Sequence, residues 1–113
     1  MTNTQDDSFE LYDLKVEIVQ GKGKMVCGHK IGDCFEVHGE SLIFPEGRSV
    51  SMYALAALIP LLPAKQRVTA PNDWMTTDEY VACPDPHCGG LFKITRMGTR
   101  TFKHSEVSAE PLV

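Results

Sequence analysis

The stretch Cys83-Pro84-Asp85-Pro86-His87-Cys88-Gly89-Gly90, followed by Leu91-Phe92-Lys93-Ile94, constrains this chain more than any other. Two close cysteines, a glycine pair directly after the second, and then an alternating apolar run read as a metal-binding knuckle feeding a strand. Thiolates suit Zn²⁺, a borderline-soft ion that takes tetrahedral sulfur and nitrogen ligands. Gly89 and Gly90 are expected to adopt the positive φ that turns backbone N–H groups toward the thiolates. A knuckle supplies two ligands, and Cys27 and Cys34 are the only other cysteines.

With 113 residues the chain reads as one domain, long enough for a modest core and short enough to gain from a staple. A net charge of −4 and scattered basic residues argue against a nucleic-acid footprint built on a basic face. The first residues are polar and acidic, with no apolar h-region, and no apolar run is long enough to span a membrane. A cytoplasmic, reducing location is therefore expected. There, four cysteines in two pairs read as metal ligands rather than disulfides.

Residues 1–8 and 105–113 read as flexible tails around a single domain, 9–104. From Leu11 to Val19 the pattern alternates as a strand, and Gln20-Gly21-Lys22-Gly23-Lys24 is a turn by composition. Phe35 and Val37, then residues 42–44, carry short strand signals split by a turn at His38-Gly39-Glu40. Residues 49–62 predict the one main helix, N-capped by Ser49 or Ser51, ended or kinked by Pro60 and Pro63, and buried on most sides. Residues 65–78 read as a long irregular segment holding the only tryptophan, Trp74, which either covers one end of the core or offers a contact surface. Residues 79–82 lead as a strand into Cys83, residues 91–96 leave as a strand, and Met97-Gly98-Thr99 predicts a hairpin before a last strand at 100–103.

The chemistry these residues favour is a single Zn²⁺ held by Cys27, Cys34, Cys83 and Cys88, with His29 and His87 as possible substitutes for one thiolate. Four protein ligands leave no open position, so the metal would be structural and its binding would contribute folding free energy. Three ligands and a water would instead permit Lewis-acid chemistry near His29 or His87. Iron is the secondary metal, though no run of cluster-type cysteines accompanies the pair. Thiol–disulfide catalysis is disfavoured, because the pair opens into a strand rather than a helix. His38 and His104 read as surface residues, and the acids Asp33, Asp73, Asp78, Glu79 and Asp85 offer no defined acid–base couple. No nucleophile elbow, phosphate loop or dinucleotide fingerprint occurs, so no catalytic residue is assigned.

Three separated motifs carry a resemblance: Cys27-Gly28-His29-Lys30-Ile31-Gly32-Asp33, Met52-Tyr53-Ala54-Leu55 and Cys83-Pro84-Asp85-Pro86. Together they resemble an uncharacterised family of small prokaryotic proteins with a C-x-x-G-H-K-x-G-D-like segment, a Y-A-L helix and a C-P-D motif, over residues 11–102. That family carries no established activity. Where its pattern often has a further cysteine before the helix, this chain has Ser49-Val50-Ser51, with Cys34 and Cys88 as extras, so no ligand set is carried over. The Cys83-Pro84 and Cys88-Gly89 steps also resemble zinc ribbons and the small zinc-bearing subunits of multi-subunit carboxylases and decarboxylases. This second likeness implies an accessory subunit that docks on a larger catalytic chain.

The sequence thus predicts an α+β domain: a small, mostly antiparallel sheet, one main helix and a zinc-ribbon-like metal site. The function expected is a zinc-stabilised accessory or interaction protein. Its partner would be a larger subunit or a second copy, met by the Trp74 loop and the apolar helix, with neither nucleic acid nor membrane involved. The competing expectation is a small metalloenzyme with an open metal position.

Overall fold

The computed structural model of the chain describes residues 6–25 and 30–112. In chain order the elements are β1 (Ser8–Gln20), β2 (Cys34–His38), β3 (Ser41–Ile43), α1 (Met52–Leu58), α2 (Leu62–Lys65), α3 (Trp74–Thr77), β4 (Tyr80–Ala82), β5 (Gly90–Lys103) and α4 (His104–Val107). The strands form one antiparallel five-stranded sheet in the order β3-β2-β1-β5-β4. The fold is α+β, as expected.

Period-two alternation explains why β1 occupies the centre of the sheet. Leu14, Val16 and Ile18 are buried on one face, while Lys15 and Glu17 stand on the other. Phe35 and Val37 of β2 and Phe92 and Ile94 of β5 extend the same apolar face, which Ala54, Leu58 and Leu62 of α1 and α2 cover. Beyond β2, Gly39 takes a φ of +61° in the tight turn to β3, a conformation that favours glycine.

Three features differ from the sequence expectation. The main helix is shorter and less buried than residues 49–62 predict. Ser51 caps α1, its Oγ accepting from the Tyr53 amide at 3.2 Å, and the helix ends at Leu58. Pro60 has no N–H with which to continue the ladder, and the chain turns before restarting as α2 with Pro63 in its first turn. The sheet covers only one side of α1, so Met52 and Tyr53 are 72% and 69% exposed.

The second difference is at Met97-Gly98-Thr99, which is not a hairpin. β5 runs on without a break, pairing with β1 from Gln20↔Gly90 to Ser8↔Lys103. Tyr12 pairs with Thr99 and Leu14 with Arg96, so Met97 and Gly98 together oppose Asp13: an extra residue has been absorbed as a β-bulge. A glycine after a short strand signal looks the same whether the chain reverses or bulges. Only the length of the partner strand decides.

The third concerns the ends. Ser8 is already in β1, and residues 104–107 form α4, tied back where the His104 amide donates to the Asp7 carbonyl and the Ser105 amide to Asp7 Oδ2.

Candidate functional site

Asp85 shapes the cysteine turn. Its Oδ1 accepts from the His87 amide at 2.9 Å, its carbonyl accepts from the Cys88 amide at 3.0 Å, and Pro86 follows with its φ preset for a turn. The Cys83 amide donates to the Gly90 carbonyl at 3.2 Å, which closes the loop where β4 meets β5. Cys83 and Cys88 therefore stand at the two feet of one short loop, at one end of the sheet. Cys83 also packs against the main core.

A second loop is clamped onto this turn. The Gly21 amide donates to the Gly89 carbonyl and the Gly89 amide to the Lys24 carbonyl, both at 2.8 Å. A Cβ on Gly89 would lie 2.5 Å from the Lys22 carbonyl oxygen, and one on Gly21 would lie 2.5 Å from the Gly89 carbonyl oxygen. Neither Gly89 nor Gly90 has a positive φ, contrary to the sequence expectation. Gly89 is needed because two backbones meet there, not because the chain is left-handed. Met25, at the far end of the clamped loop, packs on the same core as Cys83.

Of the four expected metal ligands, Cys34, Cys83 and Cys88 fall among the described residues. Cys27 and His29 lie outside the described residues. Cys34 begins β2 and pairs with Glu17, three strand spacings from β4, or about 14 Å across the sheet. It also alternates with the buried Phe35 and Val37, which turns it to the face opposite the core, whereas Cys83 faces the core. Among the described residues no three His, Cys, Asp or Glu side chains come together to hold a metal. The structure thus brings together Cys83 and Cys88 and does not bring Cys34 to them. His87 is exposed on the same turn as Cys88.

The other side chains behave differently from one another. His38 does not stand alone on the surface: its Nε2 is 2.8 Å from Glu36 Oε1 and 4.0 Å from Asp13 Oδ2. Asp13 receives both Nε and Nη2 of Arg100, at 3.0 and 2.8 Å, and these hydrogen bonds hold its carboxyl below the usual range. Trp74 is 76% exposed, so it does not cover the core.

The residues that spacing did not single out are Gly21, Lys65, Gln66 and Arg96. Lys65 is only 3% exposed, and its Nζ donates to the Met75 and Asp78 carbonyls at 2.8 and 2.6 Å. Burial, followed by the nearby Arg96 charge, pushes its ammonium below the ordinary lysine value. Arg96 donates to the Lys65 and Arg67 carbonyls, each at 2.7 Å, and lies over the Tyr12 ring. The segment 65–78, expected to be irregular throughout, contains the short helix α3 and is fixed by two cations. A polar triplet Lys65-Gln66-Arg67 directly after an apolar helix was the available signal.

Among the described residues no helix is long and apolar enough to cross a membrane. No family model, curated protein or solved structure matches the chain.

Proposed function

We propose that this chain is a zinc-stapled accessory protein, a small non-catalytic subunit that docks on a larger enzyme of the carboxylase or decarboxylase type. The observation that carries the reading is the clamp of loop 21–25 onto the Cys83–Cys88 turn through Gly21, Lys24 and Gly89. Cys27 follows Lys24 by three residues in sequence, at most about 11 Å of extended chain, which supports counting it among the ligands. The ligand set that fits is Cys27, Cys83 and Cys88, with His29 or His87 as the fourth, a sulfur-rich tetrahedral donor set of the kind zinc prefers. Such a metal joins two turns roughly fifty residues apart in sequence, and its binding is coupled to folding.

The second part of the reading rests on the exposed apolar side chains. Met52, Tyr53, Val68 and Trp74 are 69% to 76% exposed, on α1, on the α2–α3 connection and at the start of α3. Exposed aromatic and methionine side chains are the residue types enriched at the centres of protein interfaces.

Chelation tests the staple. Removing metal should lower the thermal midpoint and loosen the ends of β1 and β5 first, and an unchanged midpoint in the metal-free protein would sink it. Isolation of the native complex at low salt tests the partner, and recovery of a lone monomer counts against it. The placement of Cys34 favours one alternative, a site with three cysteines and no histidine, whose open position would supply Lewis-acid chemistry.

A further inference from the structure

The N-terminal part of β1, the C-terminal end of β5, the β2–β3 turn, α2 and α4 border an open cleft of about 650 Å³. It lies far from the cysteine turn: Leu11 and Gln20 are about 30 Å apart along β1 at roughly 3.3 Å per residue. Its walls are apolar, formed by Leu42, Ile59, Val107 and the stacked pair Phe9 and Phe102, whose ring centroids are 5.6 Å apart. The volume falls within the range of sites that take small organic ligands, which are mainly apolar with a few placed polar groups.

One such polar group is present. Gln66 lines the cleft and is 5% exposed. Its Nε2 donates to the Gly39 carbonyl at 2.7 Å, which fixes the amide and leaves Oε1 as an acceptor with no donor among the described residues. In an open cleft that acceptor is left to water, and an apolar ligand that displaces the water without donating leaves it unpaired, whereas one that donates does not. The rim also bears on the ligand's charge. Arg67 donates to the Pro63 carbonyl at 2.6 Å and keeps its charge, and neither it nor Glu40 nor Glu106 forms an ion pair among the described residues. Two acids against one cation leave the rim net negative, which favours a neutral or cationic ligand over a carboxylate.

We infer that the cleft binds a small, mainly apolar molecule whose hydroxyl or amine donates to Gln66 Oε1. The inference does not rest on the metal site.

The test is a titration of the isotope-labelled full chain followed by amide NMR, with three probes: 2-phenylethanol, 2-phenylethylamine and the methyl ether of 2-phenylethanol, which cannot donate. At least one donor probe should give saturable shifts at Gly39, Leu42 and the Gln66 side chain, about fivefold or more tighter than the ether. Which donor binds better tells alcohol from amine. The Gln66→Met variant should erase the preference. Leu42→Trp, which fills the cleft and keeps the Gln66–Gly39 bond, should abolish binding of every probe and serves if Gln66→Met does not fold. An ether that binds as tightly as both donors overturns the inference. So does saturable binding retained by Leu42→Trp, or no saturable shift in the cleft with any probe up to about 10 mM.

Discussion

The Gly89 amide donates to the Lys24 carbonyl at 2.8 Å, and the two backbones are close enough that a side chain on Gly89 would meet the Lys22 carbonyl oxygen. This contact joins the end of β1 to the start of β5 beyond their last paired residues, Gln20 and Gly90. It is what turns two loops, distant in sequence, into one candidate site.

The contact predicts a contrast between two glycines. Gly89→Ala forces backbone apart and should destabilise the protein by about 1–3 kcal/mol, as overpacking does. Gly98→Ala meets open space in the bulge and should change stability by less than about 0.5 kcal/mol. Urea midpoints of the two variants check this, and equal effects would remove the argument for close approach.

Arg96 should matter more than an ordinary strand arginine, because one guanidinium spans the Lys65 and Arg67 carbonyls and Thr69 Oγ1. Arg96→Ala should cost about 2 kcal/mol, the scale of hydrogen bonds from a charged group. Arg96→Lys should rescue little, since an ammonium lacks the planar fork. Hydrogen exchange should quicken at residues 65–69 and stay unchanged in β2.

Lys65 predicts a pH dependence with a definite sign. Its folded-state value lies below the ordinary 10.5, so between the two the unfolded chain binds more protons, and stability rises with pH across that alkaline window. Lys65→Met should flatten the rise. It should also cost about 1–3 kcal/mol at neutral pH, because the Met75 and Asp78 carbonyls lose their donor. Denaturant titrations at several alkaline pH values measure both effects.

Asp13 acts at the acid end. Its hydrogen bonds from Arg100 depress its folded-state value, so its contribution is complete above the ordinary carboxylate range and is lost as pH falls through the depressed value. Asp13→Asn should therefore lower stability at neutral pH and make the acid limb of the stability curve shallower. An unchanged acid limb would separate the pair from stability.

The strands were the readable part of this sequence, and the reason is local. Alternation along β1 and the turn residues Gly39 and Glu40 act within a few positions, so they appear directly in the order of residue types. What could not be read depends on partners. Gly98 looks like a turn until β5 is known to continue opposite β1, and the separation of Cys34 from Cys83 emerges only when the sheet order sets β1 and β5 between β2 and β4. Likewise the apolar composition of α1 implied burial on most sides, but the sheet offers it only one face. The cations Lys65 and Arg96 serve backbone carbonyls far away in sequence, and no spacing rule reports such pairs.

Metal content is the most direct measurement on the staple. Wild-type protein, purified without added zinc, should carry one zinc per chain by elemental analysis. Cys34→Ser should retain it, while Cys27→Ser, Cys83→Ser and Cys88→Ser should each lose it together with thermal stability. A wild-type protein free of zinc, or a Cys83→Ser variant that keeps its full complement, would contradict the account.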